Sequence, residues 1–385
     1  MTPQTSLTDF IAVKSHTLDE YVSQSLWLPC GARGVFGGQV IAQALSAAGH
    51  TVAPSLGLHS QHCYFVLPAE ADTPIYYLVE KLRDGRSYST RLVKAKQSEK
   101  VVFILIASYT SPPPTHIAQQ RPLSRQESIV PEDEIKMSHS LRFSLTDKGS
   151  SEQNKSRRKS SRIPSFQPRF QIPGPDDIVA WEESEEEENR WQRVLDTRGS
   201  AIVGKHRTAL EEYIKERRES PVSLAVARRK GKRRDVELDR SVRMLWLKAR
   251  LRPGEEPSEE VIKIMIAYMS DFQFIGTAAR SVGLSRASTP RLGMLASLDH
   301  SIHFYPFPER FRADEPLLHV MESALADVGS GRGVVRGTIY TQKGVLIATT
   351  LQEGVMRVDS KGREKGLVEG GVLGEEEGVS KRAKL

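Results

Sequence analysis

His59-Ser60-Gln61-His62-Cys63-Tyr64 in the first third of the chain returns as His300-Ser301-Ile302-His303-Phe304-Tyr305 in the last third. The offset is 241 residues, and four of the six positions are identical. The flanks agree in kind. Ahead of each copy lies an apolar stretch at helical spacing, Gly38-Gln39-Val40-Ile41-Ala42-Gln43-Ala44-Leu45 and Asp271-Phe272-Gln273-Phe274-Ile275-Gly276-Thr277-Ala278. Behind each lie strand-like runs joined by Gly-Arg turns, Asp84-Gly85-Arg86-Ser87 and Gly331-Arg332-Gly333. A helix and then strands, used twice in the same order, marks a small fold duplicated within one chain. After duplication one half can keep chemistry while the other keeps shape.

Composition narrows the classes. A chain of 385 residues is long enough for two domains and an insert. Its two cysteines, Cys30 and Cys63, make no disulfide framework and fit a reducing compartment. No run approaches the ~18 apolar residues of a membrane span. The start, Met1-Thr2-Pro3-Gln4-Thr5-Ser6, lacks the basic and apolar regions of a secretory signal. The formal charge is +7, but much of the excess sits in clusters outside the repeats. It therefore does not by itself imply nucleic acid.

The first unit spans residues 8–112. Val40, Ile41, Ala44, Leu45 and Ala48 form one apolar helical face, and Gly49 is placed to stop the helix. Strands are expected at 61–67, 75–82, 88–96 and 101–109. One helix against antiparallel strands is an α+β layer. Residues 113–220 read as a charged, partly disordered insert. It holds the basic run Lys155-Ser156-Arg157-Arg158-Lys159-Ser160-Ser161-Arg162 and the acidic run Glu182-Glu183-Ser184-Glu185-Glu186-Glu187-Glu188. Such stretches bury too little apolar area to offset chain entropy. Residues 145–165 are expected to be disordered, and 209–217 to form a short helix. The second unit spans 221–358. Strands at 222–226 and 244–251 flank a basic loop at 228–234. A helical segment near 259–268 leads into a second core helix expected at 271–282. Strands follow at 300–305, 317–323, 333–341 and 345–358. A polar tail, 359–385, ends in Ala383-Lys384-Leu385.

Five features could carry chemistry. Asp271, Ser297 and Gln352 fall at an expected helix start, strand start and late strand. Together they make chemical sense: a carboxylate can take a proton from water, while a hydroxyl and a carboxamide hold that water or face a developing oxyanion. A helix N-terminus would keep Asp271 ionised. Singly, Asp271 reads equally as a helix N-cap, and the other two as ordinary strand polars. His59, His62 and Cys63 could bind metal or supply a thiol. Alternation on a strand separates His62 from Cys63, however, and Phe304 replaces Cys63 in the repeat, which favours an apolar slot. Residues 31–38, with glycines at 31, 34, 37 and 38, lack the order of a phosphate loop. The N–H groups of Gly38 and Gln39 at the helix start would suit an oxyanion, and tight packing explains the glycines equally well. The basic runs at 155–162 and 228–234 have no interleaved aromatics for base stacking and read as solvated loops. Ala383-Lys384-Leu385 matches the small-basic-leucine pattern of a peroxisomal address.

Taken jointly, several stretches resemble the type II acyl-CoA thioesterases, the double-hotdog enzymes of bacteria and peroxisomes. They are Arg33-Gly34-Val35-Phe36-Gly37-Gly38-Gln39-Val40, Leu58-His59-Ser60-Gln61-His62-Cys63-Tyr64-Phe65, Leu82-Arg83-Asp84-Gly85-Arg86-Ser87-Tyr88-Ser89, Ser270-Asp271-Phe272-Gln273-Phe274, Ser297-Leu298-Asp299-His300-Ser301 and Gln352-Glu353-Gly354-Val355-Met356-Arg357. Residues 114–220 and 359–385 lie outside the resemblance. It implies two tandem hotdog folds, each a helix wrapped by an antiparallel sheet. It also implies hydrolysis of fatty acyl-CoA to free acid and CoA, with no metal, no cofactor and no covalent intermediate. Carried over residue by residue, it makes Asp271 the catalytic aspartate that deprotonates water, aided by Ser297 and Gln352; the backbone at Gly38 and Gln39 joins them on the substrate side from the reading of the residues above, as oxyanion donor. Serine at 297 is similar to the peroxisomal members, where bacterial ones often have threonine. The implied partners are the acyl-CoA substrate and a peroxisomal import receptor; a homo-oligomer stays open, and neither nucleic acid nor a membrane span is called for.

Overall fold

A computed structural model describes residues 6–111, 178–198, 202–230, 240–285 and 288–359. The expected disorder at 145–165, the basic run at 155–162 and the terminal tripeptide lie outside the described residues.

The first unit comprises α1 (Leu7–Ile11), β1 (Val13–Thr17), β2 (Glu20–Ser23), α2 (Gly37–Gly49), β3 (Gly57–Phe65), β4 (Tyr76–Asp84), β5 (Tyr88–Gln97) and β6 (Lys100–Thr110). Helix α2 lies where the sequence places it, but it is buried on both faces. The face opposite Val40, Ile41 and Leu45 carries Gln39 and Gln43. Their side-chain amides donate to the carbonyls of Phe10 and Ser25 at 2.9–3.1 Å, and Tyr77 Oη donates to Gln43 Oε1 at 2.8 Å. A buried polar face is tolerated when its groups are bonded.

The second unit comprises α3 (Glu187–Arg198), α4 (Lys205–Glu219), β7 (Val222–Val226), β8 (Val242–Ala249), α5 (Glu259–Ser270), α6 (Gly276–Ser281), β9 (Leu292–Ser297), β10 (Asp299–Phe304), β11 (Leu317–Asp327), β12 (Arg332–Thr341) and β13 (Leu346–Val358). Two expectations need correction. The core helix is α5, not a helix at 271–282. Ser258 caps its start by accepting from Val261 N–H, and Glu259 and Glu260 fill the first turn, where negative charge is favoured. Ile262, Met265, Ile266 and Met269 bury one face. Asp271 therefore caps the C-terminus of α5 and does not start a helix. A turn follows with Gln273 at φ 56°, then the six-residue α6. Ser297 likewise ends β9 and does not start a strand.

The acidic run at 182–188 is also structured. Arg193 grips Glu185 bidentately at 2.9 and 2.8 Å, and Arg250 Nη2 meets Glu188 at 2.5 Å. Trp191 and Leu195 of α3 pack on Leu210, Tyr213 and Ile214 of α4. Opposite charge brought from β8's end and a small apolar cluster supply what the run lacks alone.

All strands join one thirteen-stranded sheet, ordered β1-β2-β4-β5-β6-β3-β10-β13-β12-β11-β8-β7, with β9 on β13. The repeated hexapeptides meet at its centre. β3 pairs antiparallel with β10, Gln61 opposite Ile302, with His62 opposite Ser301 and Ser60 opposite His303 on either side. An internal pseudo-two-fold axis passes through the Gln61–Ile302 pair. Gln61 also faces Ala107 of β6, and Ile302 faces Thr350 of β13. The axis thus makes Tyr109 the counterpart of Gln352. One core runs through both units and includes Ile41, Leu45, Phe103, Met265, Phe274 and Ile339.

Candidate active site

The two helices touch where α5 ends and α2 begins. Gly38 makes the approach feasible, because a Cβ there would overlap the Tyr268 carbonyl oxygen. Asp271 sits in the joint. Gly38 N–H, in the first turn of α2, donates to its Oδ2 at 2.9 Å. Gln352 Nε2–H, from β13, donates to its Oδ1 at 2.7 Å. The site is thus built from both units. The positive helix end expected from a helix starting at Asp271 is supplied instead by α2 across the joint. Burial pushes the Asp271 carboxyl above its ordinary value, and the two donors pull it partly back. A carboxylate so held is desolvated and more basic than one in water, yet bonded in its ionised form. Gly37 lies against it: a Cβ there would fall 2.8 Å from Oδ2.

A second layer supports the joint. Ser270 Oγ donates to the Ala267 carbonyl at 2.8 Å, so it accepts from His300 Nε2 at 3.1 Å. His300 Nδ1 then accepts from Gln61 Nε2 at 3.1 Å. Burial lowers the His300 pKa to about 3. The imidazole is neutral with its proton on Nε2, and it fixes the residue before Asp271 without carrying charge. Sequence reasoning assigns neither His300 nor Ser270 a role. The signals are nonetheless present: His300 opens the second hexapeptide, and Ser270 precedes the acid.

Of the expected trio, the structure bonds Asp271 to Gln352. Ser297 is opposite Gly354 on β9 and β13. It shares a sheet face with Gln352, about 7–8 Å away on the diagonal, but its hydroxyl has no hydrogen-bond partner among the described residues. The expectation for Gly38 and Gln39 is corrected. Gly38 N–H is engaged by Asp271, and Gln39 N–H by the Phe36 carbonyl at 3.0 Å. Neither is open to an oxyanion. Gln39 is structural: its side-chain oxygen accepts from Trp27 N–H at 2.7 Å.

His62 and Cys63 do diverge. His62 is exposed and Cys63 is buried. Burial and the Asp271 charge push the Cys63 thiol well up, which opposes a thiolate nucleophile. His62 instead meets its repeat counterpart His303 on the open side of the sheet, ring centroids 5.3 Å apart. Among the described residues no three His, Cys, Asp or Glu side chains converge as a metal site.

The pseudo-two-fold predicts a twin site at the other end of the helix pair. There His50 caps α2 as Asp271 caps α5, and its ring stacks on Tyr21 at 5.2 Å. Tyr109 stands for Gln352, its buried hydroxyl without a hydrogen-bond partner. The α5 first turn presents Glu260, which accepts from Leu58 N–H at 2.6 Å and from Lys263 at 2.7 Å.

Comparison with known proteins agrees. The acyl-CoA thioesterase N-terminal domain matches residues 24–110, and the acyl-CoA thioesterase C-terminal domain residues 175–356. Acyl-coenzyme A thioesterase 8 of Mus musculus is 31% identical over 343 residues, covering 88% of this chain and 85% of the relative. The chain belongs to the type II acyl-CoA thioesterase family. Acyl-CoA thioesterase 2 of Haemophilus influenzae is 29% identical over 347 residues, covering 90% of this chain and 95% of the relative. Among solved structures, an acyl-CoA thioesterase II from Mycobacterium marinum superposes with a TM-score of 0.55 at 24% identity, over 92% of this chain and 99% of that one. That likeness shows the double-hotdog fold. The C-terminal match begins at 175, so it takes in α3 and α4 as well as the strands of the second unit.

Proposed function

We propose that this chain hydrolyses fatty acyl-CoA to free fatty acid and CoA, with Asp271 as the base that activates water. The observation that carries the reading is the buried Asp271 carboxylate, held between Gly38 N–H of one unit and the Gln352 amide of the other. The water oxygen attacks the thioester carbonyl carbon as Asp271 takes its proton. The C–S bond of the tetrahedral intermediate then breaks. The thiolate is a good leaving group and recovers the proton, so no separate acid is needed. Gln352 fixes the direction of the carboxylate, and the Ser297 hydroxyl, on the same face, is free to hold the water. Gly37 N–H, with no partner among the described residues, is the helix-end donor left for the carbonyl oxygen.

Thiol release from acyl-CoAs of increasing chain length tests this. Saturable release by wild type and loss in Asp271→Asn support it; tight binding without release points instead to a non-catalytic acyl-CoA-binding protein. The residues Ala383-Lys384-Leu385 support a peroxisomal address. An N-terminally labelled protein should form puncta that disperse without Leu385, and diffuse label with Leu385 present overturns the address.

A further inference from the structure

Helix α4 brings a guanidinium to the back of the active-site turn. Arg217 is 3% exposed. Its Cζ lies 5.2 Å from the ring of Phe272, the residue after Asp271, and 5.5 Å and 5.9 Å from the rings of Trp27 and Tyr213. Its Nε and Nη2, the adjacent pair that forms one edge of the fork, have no hydrogen-bond partner. The nearest carboxylate oxygen, Glu216 Oε1, stands 3.8 Å from Nη2, an ion pair too long to be a hydrogen bond. The Tyr268 hydroxyl is buried and unpartnered as well, and it feels the charges of Arg217, Glu216 and Asp271 together. Two guanidinium N–H donors thus stand unfilled against the ring of Phe272, behind the Asp271 turn, with the unfilled Tyr268 hydroxyl feeling both their charge and that of Asp271. Buried donors left unbonded are costly, and native proteins rarely leave them so.

The charge already present selects the ligand. Glu216 and Glu187 both act on Tyr213 next to Arg217. A further anion there would meet two carboxylates and one guanidinium. An uncharged oxygen acceptor would meet three donors and no net repulsion. We propose that Arg217 and Tyr268 form a subsite for a neutral oxygen of the acyl-CoA near the thioester: the first amide carbonyl of the pantetheine arm, or an oxygen substituent on the acyl chain. The inference rests on the thioesterase reading and assigns Arg217 to substrate recognition, not to the chemical step.

The test compares Arg217→Met, which keeps length and stacking but loses the donors, and Tyr268→Phe, which loses only an unpartnered hydroxyl and should fold normally. Each is assayed on four thioesters of one acyl length: acyl-CoA, acyl-N-acetylcysteamine, acyl-ethanethiol and 3-hydroxyacyl-CoA. If the amide is the ligand, kcat/KM falls roughly 10- to 100-fold more on the first two and on 3-hydroxyacyl-CoA than on acyl-ethanethiol. If the acyl oxygen is the ligand, the excess loss is confined to 3-hydroxyacyl-CoA. Equal losses on all four, or none, overturn the subsite. An inert thioether analogue of 3-hydroxyacyl-CoA, which carries both candidate oxygens, titrated by calorimetry, extends the comparison to the absence of turnover. Wild-type binding weakened by Arg217→Met supports the subsite even where hydrolysis fails, and unchanged binding overturns it.

Discussion

The two ends of the helix pair are related by the internal two-fold, and among the described residues only at one does a first-turn amide of one helix donate to a carboxylate capping the other. At that end α5 stops at Asp271, the first turn of α2 offers two glycines, and Gln352 reaches in from β13. At the other end α2 stops near His50, the first turn of α5 offers Glu260, and the strand position holds Tyr109. Backbone and core are shared; the ends differ in Asp271 against His50, Gln352 against Tyr109, and two glycines against Glu260 in the first helical turn. At the silent end the helix start is occupied by its own carboxylate, bonded to Leu58 N–H and Lys263. There the carboxylate belongs to the helix's own first turn, whereas at Asp271's end it is brought to the first turn of α2 by α5 and Gly37 carries no side chain. Duplication preserved the joint and let one copy fill it.

Substitutions at matched positions sharpen the contrast. Asp271→Asn should cut kcat by about 10²–10⁴, the usual worth of a general base, whereas His50→Asn should stay within a few-fold. In Asp271→Asn the new carboxamide oxygen can still accept from Gly38 while a flipped Gln352 receives its amide, so the melting temperature should hold. Gln352→Ala should cost roughly 10- to 100-fold, as expected for a hydrogen bond to a charged group, and lower kcat more than it raises KM. Helix α2 supplies a comparison within one element. Gly38→Ala drives a methyl into the Tyr268 carbonyl and should destabilise by about 1–3 kcal/mol in chemical denaturation. Gly49→Ala, where a Cβ meets nothing within 4 Å, should stabilise by about 0.5–1 kcal/mol. Equal effects at both glycines would dissolve the argument that the close approach is confined to the active end.

Much of this was readable from residues. The hexapeptide repeat located β3 and β10, and the apolar spacing located α2. The ten expected strands fell within a few residues of β3–β8 and β10–β13, while β1, β2 and β9 were not expected. The second core helix was misplaced because apolar residues continue past Asp271 through Phe272, Phe274, Ile275, Ala278 and Ala279, and nothing local shows that Asp271 closes a helix instead of opening one. The cap at Ser258 was the available signal. The acidic run at 182–188 misled for another reason: its partners Arg193 and Arg250 and the Trp191 cluster are properties of the folded chain. The donor role expected of Gly38 failed because the group that occupies its N–H, Asp271, lies 233 residues away. The motif resemblance named the acid, but only the fold could show that the other unit's helix end holds it.

The pH dependence of kcat/KM tests the base assignment most directly. Burial raises the Asp271 pKa above its ordinary value of about 3.9, and His300, with a pKa near 3, stays neutral above that. Protonation of Asp271 should therefore abolish activity on the acid side. The account predicts a limb of unit slope that rises with pH, has its midpoint above about 4, and disappears in the residual activity of Asp271→Asn. The same limb persisting in Asp271→Asn, or a midpoint at or below that of an ordinary aspartate, would contradict it.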